Sequence, residues 1–442
     1  MATLGEQVAR RWSAERVVGL APDPASAKAG RGQAAPAKWS GTGASARAVW
    51  GACQGSGKKP YQAAVELAGP AFRCTCPSRK FPCKHALGLL LLWSSGQVPE
   101  EPVEAAWVRE WLEERASRAS RAARAEKTDG PKDPEAAAKR AQDRMARVTA
   151  GAAELRGWLT DRVGAGFAGF ERGGAEELRG VAARMIDAQA TGLAGGLRRA
   201  ADLVGRGRDW PGDLLAELSL LYLLAGAAAR LGELPPELAE TVRTRLGFAA
   251  GTASVLESGE RVADQWLVTG AADEEQDALR IRRTWLRGRH SGRPALVLSF
   301  ASPGRSLDSS LPPGHLVPGE LAFYPGAVPL RAVVADATEP VTSPVPRGDT
   351  VTEALAAYAE ALAADPWLER WPVLLADLTP ATGPDGWALS DVDGSALPLT
   401  PSTDPWRLLA LAAEHPVTLA AEWTPTGLHP LTCWHPNGTV RL

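Results

Sequence analysis

The chain has 442 residues, 45% of them hydrophobic and 23% charged, with a formal net charge of −2. This composition predicts a folded, soluble protein of two or three domains with ample core, and it excludes a highly charged disordered chain. Five cysteines do not make a disulfide framework in a chain of this length.

The first 20 residues contain no unbroken apolar segment of the kind found in a secretory signal. The longest apolar run, Leu218 to Ala229, is shorter than the about 20 residues that a helix needs to cross a bilayer. We therefore expect a cytoplasmic protein without a membrane partner.

The small net charge hides an uneven distribution along the chain. Residues 1–95 contain 13 Lys and Arg against four acidic residues, a net charge of +9, and the remainder carries a net charge of −11. A basic first part suggests an anionic partner for that part.

Residues 1–47 are predicted to form an N-terminal helix and an irregular arm. The arm, residues 20–46, is rich in Ala, Gly, Pro and Ser, a composition typical of segments without regular structure. It leads into a strand around Val49 and Trp50, where the second predicted unit, residues 48–96, begins.

The second unit is predicted to contain a β-hairpin. Residues 61–67 alternate apolar side chains with polar or small ones, residues 68–70 (AGP) favour a turn, and residues 72–74 resume the extended pattern. The hairpin ends in a cluster of cysteines.

The cluster reads Cys74-x-Cys76, six residues, then Cys83-x-His85. Thiolate and imidazole are the ligands that Zn²⁺ prefers, and four of them close a tetrahedral site that leaves no position for a catalytic water. The pattern predicts one structural zinc ion per chain. The alternative is a group of buried free thiols.

The spacing of the last two ligands also predicts local structure. Residues i and i+2 of a regular helix point about 200° apart, so Cys83 and His85 cannot both coordinate from inside one. Cys83 is therefore predicted to precede a helix, with His85 in its first turn. Pro82 suits this entry, and an apolar stripe at helical spacing follows until about Gly96.

These residues resemble the SWIM zinc finger, whose motif is C-x-C, a variable spacer and C-x-H on a ββα unit. All four family ligand positions are matched here, and the sequence up to about residue 95 is similar to bacterial stand-alone SWIM proteins. The resemblance implies a module that binds nucleic acid or protein. It also implies two kinds of protein partner, a MoxR-type AAA+ ATPase and a von Willebrand A-domain protein.

Two helical segments follow the finger. Residues 97–133 are predicted to be a polar linker helix, because the stretch after Arg115 has no large apolar residue. Residues 134–249 repeat apolar side chains at helical spacing and are predicted to form a small bundle. Its clearest stripe consists of Met145, Val148, Ala152, Leu155 and Leu159.

Residues 250–442 change to short β-rich runs bounded by turn residues, which predicts a mainly antiparallel sheet. One helix interrupts it, because Thr350-x-x-Glu353 is a capping box. Hairpin turns are predicted at Asp393-Gly394 and Asn437-Gly438. The fold class is therefore α+β multidomain: an N-terminal ββα zinc finger, a helical middle and a mainly antiparallel α+β C-terminal domain.

Basic residues accompany aromatic residues throughout the finger. Lys and Arg neutralise phosphates, and aromatic side chains stack on bases, so the basic residues are predicted nucleic-acid contacts. Alternatively, the aromatic residues fill the core of a small domain and the basic surface is solvated or faces protein. Three thiolates around Zn²⁺ leave a charge of −1 at the metal. The candidate contacts are Lys58, Lys59, Arg79, Lys80 and Lys84.

A second basic run, RIRRTWLRGRHSGR, spans residues 280–293. On a strand, Arg280 and Arg282 point to one face and Arg283 to the other, so the run is not a single cationic stripe. Two interpretations remain, an anion-binding surface and ion pairs with the acidic residues of 273–277.

The sequence has no nucleophile elbow, no metalloprotease motif and no nucleotide-binding fingerprint, and residues 51–59 lack the spacing of a P-loop. We therefore predict a non-enzymatic zinc-binding protein. In one hypothesis the finger binds nucleic acid, protein or both. In the other the chain is a protein-only adaptor that works with an AAA+ ATPase and a von Willebrand A-domain partner.

Overall fold

The computed structural model describes residues 11–442, except for 23, 56–58, 68–70, 79, 81, 129–133, 208, 277–278, 303–306, 384–385 and 436–437. Two of the candidate nucleic-acid contacts, Lys58 and Arg79, lie outside the described residues. So does Asn437 of the last predicted hairpin turn.

The N-terminal domain is a four-stranded antiparallel sheet with helices on both faces. Both faces of its central strands are buried, as the consecutive buried residues 48–50 and 63–65 show. The strands, in spatial order, are β1 (Trp39–Ala44), β2 (Ala48–Cys53), β3 (Tyr61–Glu66) and β4 (Ala71–Cys74). One face packs against α1 (Ala14–Gly19), α2 (Pro24–Arg31) and α3 (Lys84–Ser94), and the other against α4 (Ala106–Thr128).

The segment expected to be an irregular arm, residues 20–46, contains α2 and β1. A Cβ atom on Gly30 of α2 would lie 2.7 Å from Cβ of Leu87 on α3, so the two helices approach each other at a glycine. The small residues that suggested irregular structure therefore permit close packing. They carry too little hydrophobic contrast to reveal a helix by periodicity.

Helix α4 is more than the polar linker expected for residues 97–133. Its first turns carry Val108, Trp111 and Leu112 at i, i+3 and i+4, and all three are buried with Trp50 of β2. The ββα unit expected for the finger is thus part of a larger α/β/α sandwich.

The helical middle is confirmed as a helical unit with one core. Its helices are α5 (Pro134–Ala165), α6 (Gly174–Asp187), α7 (Thr191–Leu203), α8 (Trp210–Ala229) and α9 (Pro236–Leu246). The predicted stripe residues Val148, Ala152, Leu155 and Leu159 are buried in that core.

Helix α8 has 20 residues and a mean hydropathy of 1.4, enough by length and composition alone to cross a membrane. A core helix of a soluble bundle has the same composition, and α8 buries one face in the bundle core. Its other face leaves Leu215, Tyr222 and Leu223 exposed.

The first part of the C-terminal region is a closed barrel. After α10 (Thr252–Ser258) come β5 (Glu260–Gln276), β6 (Leu279–Gly288), β7 (Pro294–Ala301), β8 (His315–Phe323), β9 (Arg331–Ala337) and β10 (Val341–Thr342). The ring runs β5-β6-β7-β9-β8 and returns to β5, with only β7 and β9 parallel. This is the five-stranded Greek-key topology of the OB fold.

The second part is a six-stranded antiparallel sheet in the order β13-β12-β11-β14-β15-β16. The predicted capping box is confirmed: Thr350 and Glu353 bond reciprocally at the start of its first helix. The elements are α11 (Val351–Ala364), β11 (Trp371–Gly383), β12 (Gly386–Ser390), β13 (Ala396–Pro398), α12 (Pro405–Leu411), β14 (Val417–Thr424), β15 (Gly427–His435) and β16 (Gly438–Arg441).

A fully buried carboxylate joins the barrel to this sheet. Glu422 of β14 accepts hydrogen bonds from Arg283 Nε at 2.9 Å and Trp285 Nε1 at 2.8 Å, both on β6. Burial alone would raise the pKa of Glu422, but the hydrogen bonds and charge of Arg283 more than offset it and hold the pKa below its ordinary value. The two parts therefore meet around an ionised, paired carboxylate.

Helix α7 provides a test of the bundle packing. A Cβ atom on Gly192 would collide with the backbone carbonyl of Arg245 at the end of α9, whereas one on Gly195 meets nothing closer than 4.0 Å. We expect Gly192→Ala to lower the free energy of unfolding by about 1–3 kcal/mol, the usual cost of overpacking. Gly195→Ala should instead raise it by up to about 1 kcal/mol, because alanine is the better helix former. Chemical denaturation followed by circular dichroism measures both; equal effects would show that α7 and α9 do not touch there.

Candidate metal centre

The four predicted ligands come from the end of one strand and the start of one helix. Cys74 is the last residue of β4, and Cys76 follows in the loop. Cys83 is the N-cap of α3 with an extended backbone, and His85 is the second residue of the helix. The prediction that Cys83 precedes the helix and His85 lies in its first turn is confirmed.

The side chains converge as a zinc site requires. Their ligand atoms all lie within 4.8 Å of one another, and Sγ of Cys74 is 3.8 Å from Nδ1 of His85. With metal–ligand bonds of about 2.0–2.3 Å, the ligand atoms of a tetrahedral zinc ion lie roughly 3.3–3.8 Å apart. The residues therefore fit one zinc ion after only a small contraction.

Hydrogen bonding favours release of the proton of Cys83, whereas burial opposes it. The Cys74 thiol donates to Cys83 and lowers the pKa of Cys83 to about 4, although burial opposes this; the His85 ring and the backbone N–H of Ala86 lower it further. The same hydrogen bond raises the pKa of Cys74. Zinc binding would displace the thiol protons that remain on the cluster.

The site is closed on its helix side. Cys83 and His85 are buried, Cys74 and Cys76 are half-buried, and the Tyr61 ring lies 5.0 Å from the His85 ring. Four protein ligands leave zinc no open coordination position, so the metal would hold the fold and not activate water.

Comparison with known proteins agrees with this geometry. Residues 73–93 match the SWIM zinc finger family, and residues 143–246 match a SWIM-associated four-helix bundle domain. The chain carries a SWIM-type zinc finger. Its residues Cys74, Cys76, Cys83 and His85 are positioned to bind one zinc ion. No curated protein and no solved structure matches the chain significantly.

The remaining two cysteines lie apart from the SWIM finger's ligands. Cys53 in β2 and Cys433 in β15 are both completely buried, and burial raises the pKa of each thiol, of Cys433 to about 11. Within the described part of the chain, the four finger residues form the only cluster suited to a metal.

The described candidate nucleic-acid contacts are exposed and lie near the metal. Lys59 immediately precedes the segment that enters β3, Lys80 lies in the loop between Cys76 and Cys83, and Lys84 is the first residue of α3. Sequence analysis missed a fourth lysine, Lys38, which is exposed before β1. Burial raises the pKa of the Cys53 thiol, and the charges of Lys38 and Lys84 oppose this rise, so both lysines lie near the same end of β2.

Two aromatic neighbours of these lysines differ in burial, since Phe72 is buried and Tyr61 is half-buried. Phe72 is 8% exposed and packs in the core under α3, and Tyr61 stacks on the zinc ligand His85. The alternative interpretation, in which the aromatic residues fill a core, fits Phe72. Phe81 lies outside the described residues.

The second basic run is explained by ion pairs. Arg282 forms two hydrogen bonds with Asp273, Arg287 bonds Asp349 and Arg293 bonds Glu260. Its arginines therefore stabilise the barrel and its contacts, as the ion-pair interpretation predicted for the acidic residues of 273–277.

We predict one zinc ion per chain. Replacing Cys74 and Cys76 by serine should abolish zinc binding, because two neutral hydroxyls replace two thiolates. Cys53→Ala is the matched control, since it removes a buried thiol of the same domain without touching the cluster, and it should retain zinc. Elemental analysis of the purified proteins measures all three. Zinc retained by the double variant would place the metal elsewhere.

We also predict that zinc removal unfolds the finger and spares the bundle. Zinc contributes on the order of 10–16 kcal/mol to the folding of isolated zinc-finger peptides, whereas the bundle has its own core. Chelation should abolish amide protection in residues 61–93 and leave α5–α9 protected, as measured by hydrogen exchange. Loss of protection along the whole chain would contradict this and show a single cooperative unit.

Proposed function

We propose that the SWIM finger is a non-enzymatic binding module for nucleic acid, and that lysines around the metal contact the phosphates. One observation carries this proposal: the charges of the N-terminal domain are separated along its strands. Lys38, Lys59, Lys80 and Lys84 lie at the end of the sheet where β4 meets the zinc ligands.

Several acidic residues lie at the opposite end of the sheet, where Arg47 and Arg115 offset part of their charge. Glu66 ends β3 and pairs with Arg115 of α4, while Glu101 bonds to Ala44, the last residue of β1. Six strand residues separate the two ends by about 17–20 Å, more than a Debye length at physiological salt. The zinc end therefore presents a cationic surface although the whole chain is slightly acidic.

The chemistry of this surface favours binding to the phosphate backbone. Lysine ammonium groups act as point charges, which neutralise phosphates without distinguishing bases. Phe72 is buried in the core, and one neighbour of the half-buried Tyr61 ring is the His85 ring, so neither residue offers a fully exposed ring for base stacking. We therefore expect binding that is salt-sensitive and largely independent of sequence.

A protein-only adaptor is the second candidate. The net charge of −11 on residues 96–442 favours it, because an acidic body repels nucleic acid. Its partners would be the AAA+ ATPase and the von Willebrand A-domain protein implied by the resemblance to bacterial SWIM proteins. Like the nucleic-acid module, it would act in the cytoplasm.

The lysines provide the test. Changing Lys59, Lys80 and Lys84 together to alanine should reduce the salt slope of binding by about 0.9 for each phosphate that is no longer neutralised on duplex DNA, or by about 0.7 on single strands. Fluorescence anisotropy with labelled DNA and RNA at several salt concentrations measures the slope. Zinc content should not change, because no ligand is altered.

A charge at the acidic end gives the matched control. Arg47, exposed in the turn between β1 and β2, carries the same charge as Lys84 at the opposite end of the sheet. Arg47→Ala should leave affinity nearly unchanged, whereas Lys84→Ala should weaken it. If the full-length protein shows no salt-sensitive binding at micromolar concentration, the nucleic-acid proposal is rejected and the adaptor is retained.

A further inference from the structure

A large cleft lies between the barrel, the bundle and the segment before β11. Its volume is about 760 Å³, within the range of about 300–1,000 Å³ typical of ligand sites. No residue of the SWIM finger lines it. Its walls are formed by β6 and β7, the β8–β9 loop at residues 324–330, helices α7–α9, and residues 365–370.

The barrel presents to this cleft the surface with which OB folds bind ligands. That surface is the outer face of the second and third barrel strands, here β6 and β7, next to the loop that joins the fourth and fifth, here residues 324–330. Ile281 of β6 pairs with Phe300 of β7, so both side chains lie on the face that lines the cleft. The topology and the cleft therefore indicate the same place independently.

The cleft surface is mainly apolar. Phe300 is 52% exposed and Leu220 of α8, on the facing wall, is 36% exposed, unusually open positions for large hydrophobic residues. Leu298 and Leu368 continue the apolar surface along the cleft. An exposed apolar concavity of this kind marks a binding site more often than a solvated surface.

Most of the charged side chains in the cleft are already paired. Five arginines and five carboxylates line it. Arg199 pairs with Glu217 and Glu369, Arg245 with Asp365, and Arg370 with Glu274. Arg283 pairs with Glu274 and with the buried Glu422, and Arg331 lies over the Tyr324 ring at 4.2 Å. A phosphate backbone would have to break these pairs, so the cleft does not suit nucleic acid.

Strand β7 also leaves main-chain groups available in the cleft. Its parallel pairing with β9 involves only Leu296 and Val297. On one edge, β7 pairs with β6 as far as Ala301. On the other edge, the one that faces β9, no strand among the described residues pairs with β7 from Ser299 onward. The alternation of the ladder directs the Phe300 N–H and C=O groups towards that open edge.

We propose that this cleft binds an extended, uncharged and mainly apolar peptide segment of a partner protein. The segment would hydrogen-bond to the open edge of β7 as an added strand, and its alternate side chains would extend the apolar face formed by Ile281, Leu298 and Phe300. Strand addition of this kind takes affinity from the main chain and specificity from alternate side chains. The proposal is independent of nucleic-acid binding by the finger.

A random octapeptide library displayed on phage, selected against the zinc-loaded full-length protein, provides the probe. Enriched peptides should carry apolar residues at alternate positions and few charges. An enriched peptide, synthesised with a fluorescent label, then gives dissociation constants by anisotropy. We expect Phe300→Asp and Leu220→Asp, on opposite walls of the cleft, each to weaken binding at least about tenfold, as expected for central interface residues.

Val392→Asp is the matched control, because Val392 is a 72% exposed hydrophobic residue that does not line the cleft. It should leave the dissociation constant unchanged, as should the triple lysine variant of the finger. Unchanged zinc content and thermal midpoint establish that the cleft variants are folded. In the wild-type protein, bound peptide should also slow hydrogen exchange of the Phe300 amide, a measurement that needs no substitution.

Four outcomes would overturn the proposal. They are no enrichment of any peptide, enrichment of charged or non-alternating sequences, equal binding by the two cleft variants and the wild type, and competition by a (dT)12 oligonucleotide. The last outcome would make the cleft a nucleic-acid site. Loss of DNA binding in the lysine variant with peptide binding intact would show that the two sites act separately.

Discussion

The N-terminal domain depends on the convergence of four zinc ligands where β4 ends and α3 begins. Two ligands end the hairpin and two open the helix, so the metal fixes the angle at which α3 enters the core. Helix α3 then buries Leu87, Leu89 and Leu90 against the sheet and the two N-terminal helices. Without the metal, three thiols and an imidazole would lie together with no cation to hold them.

In the C-terminal half, a buried ion pair between Glu422 and Arg283 joins the barrel to the sheet. Breaking a buried ion pair by removing one partner typically costs about 3–5 kcal/mol, so Glu422 and Arg283 constrain the barrel and the sheet to one relative position. Further ion pairs, with Asp273, Glu274 and Asp349, offset the other charges of the arginine-rich strand β6. The lysines of the finger are exposed at one end of a sheet. In contrast, most arginines of the barrel strand β6 form ion pairs with carboxylates. This difference supports the proposals that the finger binds phosphates and that the cleft binds an uncharged chain.

Sequence analysis succeeded where the structural requirement is local. The zinc ligands, the position of Cys83 before α3, the Thr350 capping box and the stripe from Val148 to Leu159 each depend on neighbours within about one or two helical turns. Prediction from the sequence failed where contacts between distant segments determine the structure. The barrel closes through the pairing of Leu296 with Arg331, which leaves no periodic pattern, and α4 looks like a linker because most of its length is polar. The position of Lys38 near Lys84 could not be predicted from the sequence either, because it depends on the register between β1 and β2.

The finger and the cleft share one structural element. Arg280 and Arg282 of β6 lie next to Phe72 and Pro82 of the finger domain around a small cavity, whereas Ile281 and Arg283 face the cleft. Successive residues of a strand point to opposite faces, so a single strand separates the zinc-dependent domain from the proposed peptide site. Paired strands are stiff, and β6 has β5 on one side and β7 on the other. A partner peptide bound in the cleft would therefore be held at a fixed position relative to whatever the finger binds, which is the geometry that an adaptor between two ligands requires.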